Sequence, residues 1–494
     1  MAEQVSGESR MRIEVNGINV ITDAERKGTP RQLFWPWFAA NVGVFGISYA
    51  SFVLAFGVSF WQAVVVCVIG VVVSFLFCGI VGVAGKRGSM PTMVLSRAAF
   101  GVRGNALPTL ISWVLTVGWE TVLTITATLA TATVLGRLGL GGGPVTMVIA
   151  LLVVAVLVVG AGILGFDVIM RAQVVITVIT GVLTVVYVVL VAGTVDWAAV
   201  SALPSAPVTA VVGALVLVIT GFGMGWVNVA ADYTRYLPRT ASERGIVAWT
   251  TFGASLGPVV LLIVGLLLAG SSQELAGAVA ADPIGALTAA LPTWFLVPFA
   301  LAAVLGLVGA AVLDIYSSGL ALLSLGLPAP RWVAALIDGV LMVIGTVYVV
   351  FVAGEFLPQF TGFLVTLGVP VAAWAGVLMA DITLRRTYAA AELYRPDGRY
   401  GSVRWPVVIL LVVATVLGWG LVTNGQVAWL TWQGYLLDLG LGGREGPWAY
   451  ANLGVLLALV LCYLVTLLTS ASTVRRQDGE WVSSEQLNRE QTGR

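Results

Sequence analysis

The sequence predicts an all-α integral membrane protein with twelve transmembrane helices, and three observations carry that expectation. Hydrophobic residues make up 59% of the 494 and charged residues only 10%, against roughly 25% charged in an average soluble domain. The apolar residues gather into twelve runs, at 35–57, 60–84, 106–135, 146–165, 172–194, 207–231, 246–270, 293–325, 332–352, 355–380, 405–423 and 448–470. Most of these reach the roughly 20 residues that a helix needs to cross the hydrocarbon core of a bilayer. Finally, with both termini on the cytoplasmic side, 23 of the 25 Lys and Arg residues fall on that side and only Arg137 and Arg444 on the other. Cytoplasmic loops retain basic residues, and an odd number of helices would destroy the alternation, so this pattern supports the count and the direction together. The expected location is the cytoplasmic membrane, multi-pass, with both termini cytoplasmic.

Residues 1–34 are polar, with five Lys/Arg against five Asp/Glu and no apolar core of the kind a cleaved signal needs. They read as a cytoplasmic tail, partly disordered. The first span is interrupted by Asn41, Gly43 and Gly46. The third carries Glu120 at its centre, beside Trp119 and on one helical line with Thr116, Thr124 and Thr128. Gly221, Gly223 and Gly225 fall inside the sixth, where glycine loosens a helix and opens its backbone to other partners. The eighth has Asp314 at its centre on a small-residue face with Ala310, Ser317, Ser318 and Ala321. Asp338 lies toward one end of the ninth and reads as structural, while Glu355 opens the tenth, where a carboxylate suits the helix dipole. Residues 381–404 are the longest polar connection and contain Arg385, Arg386, Arg395, Arg399 and Arg404. Residues 471–494 read as a second cytoplasmic tail. Cys67, Cys78 and Cys462 all sit in apolar runs, which argues against a disulfide framework or zinc cluster. With no histidine in the chain, proton chemistry rests on carboxylates.

Several of these residues are candidates for a site. In a bilayer an unpaired backbone group costs several kcal/mol, so an unwound segment survives only where protein encloses it or where it lines a cavity. Gly221 and Gly225 also have the spacing of a helix-packing face, and both readings stand on the glycines alone. A lone charge at the bilayer centre costs at least about 2.5 kcal/mol, which makes Glu120 and Asp314 functional candidates, with a structural carboxyl as the alternative. Trp119, Phe222 and Trp226 lie at span depth next to a glycine break or a buried acid. A planar ligand stacked on such rings gains about 1–3 kcal/mol per face, although each ring equally fits plain packing.

The stretch 230–238, Ala-Ala-Asp-Tyr-Thr-Arg-Tyr-Leu-Pro, resembles the signature that ends the sixth transmembrane helix in the nucleobase:cation symporter-1 family, the purine and cytosine permeases. Residues 90–105, Met-Pro-Thr-Met-Val-Leu-Ser-Arg-Ala-Ala-Phe-Gly-Val-Arg-Gly-Asn, look like that family's loop between helices 2 and 3. Their spacing, with the span count, extends the resemblance over roughly residues 34–468. It implies a LeuT-type core of five plus five helices in inverted topology. The transporter domain is then 35–470, with a first repeat at 35–194, a second at 207–380 and accessory helices 11 and 12 at 405–470. Helix 1 pairs with helix 6, and both carry an interruption.

The resemblance also implies a secondary active transporter, a cation symporter importing a nucleobase such as cytosine or a purine by alternating access. In that family a tryptophan of helix 3 and an aromatic of helix 6 sandwich the heterocycle, and polar side chains of helices 3 and 8 read its edge. Trp119 matches the first. The helix-6 position falls on Met224, which leaves Phe222 or Trp226 to substitute. Leu123 stands where the family often has an amide, and Asp314, ahead of Tyr316 and Ser317, stands for a family asparagine. The expected substrate site is therefore Trp119, Glu120, Phe222, Gly223, Trp226 and Asp314, with Asn41 and Phe45 from the first span. Sodium-coupled members are expected to hold the ion between carbonyls of helix 1 and hydroxyls of helix 8, yet residues 305–310, Leu-Gly-Leu-Val-Gly-Ala, carry no hydroxyl. Asp314 and Glu120, desolvated in the span, suit a proton instead, so proton coupling is favoured over sodium. The alternatives are sodium coupling, or a related heterocycle such as allantoin, a hydantoin, uracil or a thiamine-like compound. An enzyme would need a metal set or a nucleophile with its base, and a channel a ring of charge or a repeated filter; the sequence has neither. No cofactor and no nucleic-acid partner is expected.

Overall fold

A chain in lipid must satisfy its backbone groups internally, so apolar runs of this length fold as helices. The computed structural model describes residues 17–164, 166–353, 356–425 and 427–492, and these contain helices and turns but no strand. The first span is split into α1 (Phe34–Asn41) and α2 (Phe45–Leu54), bent by 67° at the break. α3 (Phe60–Gly88), α4 (Ala106–Arg137), α5 (Pro144–Leu164) and α6 (Phe166–Val191) complete the first five spans. The sixth starts as α7 (Val208–Gly221) and ends as α8 (Ala230–Thr234). α9 (Glu243–Ser271), α10 (Thr293–Ser324), α11 (Arg331–Tyr348) and α12 (Phe356–Leu384) follow. α13 (Trp405–Trp419) and α14 (Leu453–Thr492) close the chain. Among the described residues, ten helical runs are long and apolar enough to cross a membrane, the bent pair makes an eleventh, and α13 is a shorter apolar twelfth.

α4 is 32 residues long, about 48 Å at 1.5 Å per residue, and so longer than the roughly 30 Å hydrocarbon core. Its partner is α10, also 32 residues, and this pair forms the middle of the molecule. α3 packs on α9 and on α7, α1 lies on α9, and α12 packs on α14. The two interrupted spans are neighbours, since Tyr49 in α2 donates its hydroxyl hydrogen to the carbonyl of Leu217 in α7 at 3.0 Å. The polar line of α4 is buried but largely self-satisfied: Thr116 donates to the Ser112 carbonyl at 3.0 Å and Thr128 to that of Thr124 at 2.8 Å.

Three expectations need adjustment. Residues 17–33 are docked: Ile21 is buried with its N–H on the Ser89 carbonyl at 2.9 Å, and Lys27 N–H reaches the Tyr236 carbonyl at 2.8 Å. Residues 1–16 of that tail lie outside the described residues, as does Glu355. The last span begins at Leu453, after 3₁₀ turns at Ala428–Leu430 and Ala449–Ala451, and its helix continues to Thr492 through the stretch read as a tail. A helix does not stop where hydrophobicity stops, because residues such as Arg475, Arg476 and Gln477 are good helix formers.

Candidate functional site

The sixth span leaves helical geometry at Phe222, with φ −113° and ψ −108°. A single helical turn, Gly223–Trp226, and a 3₁₀ turn, Val227–Val229, carry the chain to α8. The backbone groups freed by the break are taken up by side chains of the third helix in sequence. Gly223 N–H donates to Ser74 Oγ at 3.0 Å, and the Cys78 thiol donates to the Gly223 carbonyl at 3.0 Å. A Cβ built at Gly223 would stand 2.2 Å from the Ser74 backbone carbon, so only glycine permits this approach. In the first span Val42 ends α1 with φ −88° and ψ 60°, and Asn41 Nδ2 donates to the Trp37 carbonyl at 2.8 Å.

The two breaks border one small enclosed cavity of about 70 Å³. Six of the eight expected site residues line it: Asn41 and Phe45 from the first span, Trp119 from α4, Phe222 and Trp226 from the sixth span, and Asp314 from α10. Gly223 does not, being turned toward α3, and neither does Glu120, which sits on another face of α4. Leu123, Tyr49 and Ala310 complete much of the wall. Trp119 is 8% exposed, its indole Nε1 has no hydrogen-bond partner, and that nitrogen is 2.7 Å from where a Cβ on Gly225 would be. Glycine at 225 therefore lets the broken span close against the indole edge. At this volume the cavity is well under the roughly 300–1,000 Å³ of drug-sized pockets. It suits a small ligand, and only with some movement of its walls.

An aromatic of α12 absent from the expected site packs behind the cavity wall. Phe360 of α12 meets Trp119 edge-on with ring centroids 5.8 Å apart, Tyr49 at 6.0 Å, Phe45 at 5.9 Å and Phe52 at 5.9 Å. Phe52 in turn lines a separate hollow of about 610 Å³ that also touches Leu217, Thr361 and Asn424. Phe360 thus packs against rings from both walls, Phe45, Tyr49 and Trp119 of the cavity and Phe52 of the hollow. The available signal was Phe356, Phe360 and Phe363 at helical spacing, which by itself is a packing stripe. A larger hollow of about 700 Å³ between α3 and α9 is walled by exposed apolar side chains such as Val72 and Phe252, and it reads as a lipid-facing groove.

The two sequence signatures turn out to be one structural unit. Asp232 Oδ1 accepts hydrogen bonds from Thr92 N–H at 2.7 Å and from Thr92 Oγ1 at 2.8 Å, and Ala231 N–H donates back to Thr92 Oγ1 at 3.0 Å. Arg235 donates to Tyr316 Oη of α10 at 2.8 Å and to the Gly17 carbonyl at 2.7 Å. Nearby Trp374 Nε1 reaches Ser96 Oγ at 2.9 Å, and Arg97 reaches the carbonyls of Ser324 and Leu393 at 2.9 and 3.0 Å. The same end of the molecule holds Arg385, buried and forked onto Asp381 at 2.7 and 2.9 Å. Burial pulls that guanidinium down, but the Asp381 carboxylate outweighs it and holds its pKa above the ordinary arginine value.

Residues 20–438 match a family model described as a permease for cytosine/purines, uracil, thiamine and allantoin. The putative purine-cytosine permease YxlA of Bacillus subtilis (strain 168) is 23% identical over 420 residues, covering 82% of this chain and 88% of that protein. Among solved structures, Mhp1, a nucleobase-cation-symport-1 family transporter, in a closed conformation with bromovinylhydantoin bound, superposes with a TM-score of 0.70 at 19% identity, over 94% of this chain and 97% of that one. The inward-facing conformation of Mhp1 gives 0.64 at 19% identity over 97% and 96% of the two chains. A Na⁺-coupled sialic acid symporter gives 0.58 at 12% identity, over 90% of this chain and 91% of its own. At these identities the superpositions speak to the fold.

Proposed function

This chain belongs to the family of permeases for cytosine/purines, uracil, thiamine and allantoin, and from that premise we propose that it imports a nucleobase such as cytosine or a purine by alternating access, coupled to proton entry. The observation that carries the reading is the cavity at the two helix breaks, which is lined by Trp119, Phe222 and Trp226 and by a single buried acid, Asp314. A flat heterocycle is bound there mainly by stacking, about 1–3 kcal/mol per face, and oriented by one carboxyl that accepts hydrogen bonds when ionised and also donates when protonated. Cytosine and purines present both donors and acceptors at one edge. Both termini are placed in the cytoplasm on the distribution of Lys and Arg.

One observation favours sodium as the coupling ion. The hydroxyl of Thr180 in α6 is buried without a hydrogen-bond partner, and its methyl group packs at Gly306, beside Gly43 of the first break. On this reading Thr180 supplies the hydroxyl that residues 305–310 lack, since sodium prefers hard oxygen ligands. Uptake into proteoliposomes under a pH gradient without sodium, compared with a sodium gradient at symmetric pH, separates the two. Proton coupling is expected to give accumulation under the first and none under the second. Uptake that needs sodium and ignores a protonophore reverses the assignment.

A further inference from the structure

Glu120 is expected at the substrate edge, yet it faces away from the cavity, fully buried and with no hydrogen-bond partner on either carboxyl oxygen. The hydroxyl of Ser318 gives its hydrogen to Asp338 Oδ2 at 2.8 Å, and Trp113 Nε1 gives its own to Asp338 Oδ1 at 2.7 Å. Asp338 is likewise fully buried. One acid therefore receives a donor on each oxygen, as an ionised carboxylate does, while its neighbour receives none. The charged groups that act on Glu120 are Asp338 and Asp314, both acidic. The other elements against α4 offer no cation to balance them. α5 has no ionisable residue, and Asp381 of α12 is held by Arg385 at 2.7 Å. On α10 Tyr316 takes a hydrogen bond from Arg235, and on α11 Arg331 is bound to the Gly162 and Ile163 carbonyls while Tyr348 is exposed. Like charges in a dry interior repel, and with no cation to balance them one proton on the pair removes that cost. A proton needs no ligand beyond the carboxyl oxygens already there.

We propose that Glu120 and Asp338 form a proton-binding pair behind the substrate cavity, and that this pair takes up the coupling proton. The proposal rests on the reading of the chain as a proton-coupled carrier. Two short links join the pair to the cavity. Glu120 is the residue after Trp119, which lines the cavity, and its helix reaches α11 on either side of it, Trp113 bonding Asp338 and Thr124 bonding Met342. Ser318 lies one helical turn after Asp314 on α10, so that turn touches the cavity at one end and the pair at the other. Loading and unloading the pair shifts the two turns that hold the heterocycle.

The proton itself is tested without substrate. Purified protein in liposomes is treated with a hydrophobic carbodiimide, which reacts with protonated carboxyls in apolar surroundings, and the modified peptides are mapped by mass spectrometry. Labelling at Glu120 or Asp338, absent from the Glu120→Gln/Asp338→Asn double variant, is expected; an unlabelled pair overturns the proposal. A protonated-carboxyl infrared band that disappears with Glu120→Gln gives the same answer in protein that need not transport. Coupling is tested with radiolabelled cytosine. Glu120→Gln and Asp338→Asn, checked for monodispersity, are expected to keep exchange of internal for external cytosine while accumulation driven by a pH gradient falls to simple equilibration. Variants that accumulate cytosine as the wild type does overturn the coupling role. Wild-type uptake driven only by sodium defeats the functional reading, whereas the labelling result stands or falls by itself.

Discussion

Trp119 separates a stacking site from a packing site most sharply. It is nearly buried, yet its indole N–H is unpaired, and its neighbours Phe360 and Phe363 meet it in T-shaped contacts at 5.8 and 5.9 Å instead of stacking on it. Trp119→Ala is expected to weaken binding of the transported base by roughly tenfold or more, the equivalent of one lost stacking face. Equilibrium binding to protein with normal membrane expression checks this, and unchanged affinity removes Trp119 from the site. Asp314 is 2% exposed and borders the same cavity. If it reads the base edge by hydrogen bonds, Asp314→Asn retains binding while Asp314→Ala loses it; equal loss in both variants, again measured by binding, points to a requirement for charge. Both residues were legible as single letters in the sequence, a tryptophan and an acid in apolar runs. Glu120 was legible in the same way and is as deeply buried, but which face of α4 it occupies depends on where α10 and α11 lie.

At the scale of elements, the sixth span is a helix whose lost hydrogen bonds are replaced from outside it, by Ser74 and Cys78 of α3. Gly223→Ala drives a methyl group into the α3 backbone, an overpacking that costs about 1–3 kcal/mol. The variant is expected to melt at lower temperature than wild type and to lose uptake, because the approach of the break to α3 sets the position of Phe222. An alanine variant with wild-type melting and uptake shows that the break has room to relax. The break itself was foreseeable from Gly221, Gly223 and Gly225. Its partners were not, since Ser74 and Cys78 sit in an unremarkable apolar run some 150 residues earlier.

For the molecule as a whole, the loop after α3 and the end of the sixth span act as one clamp through Thr92 and Asp232, and Arg235 extends it to α10 and to the docked residue Gly17. None of these groups lines the cavity. On the proposed alternating-access reading, they hold together elements that rearrange between states. Asp232→Asn keeps the shape but removes the charge that strengthens both bonds from Thr92; hydrogen bonds to charged groups contribute about 1.5–3 kcal/mol. The expected outcome is retained affinity with altered exchange of substrate across the membrane, measured as binding alongside counterflow. Loss of binding with unchanged counterflow contradicts that role.

The sequence by itself determined the fold class and the place of the breaks. A bilayer offers the backbone no partner, so twelve apolar runs admit little but helices, and a glycine-rich interruption within a run admits little but a protein-enclosed turn. It also supplied the residue types at six points of the cavity wall. What only the tertiary structure decided was direction and partnership: that Phe360 packs on Trp119, Tyr49 and Phe45 behind the cavity wall, that Gly223 turns to α3, and that Glu120 stays off the cavity altogether. Hydrophobic periodicity is nearly blind here, because a helix surrounded by other helices and lipid is apolar on every side and its faces are told apart only by what packs against them.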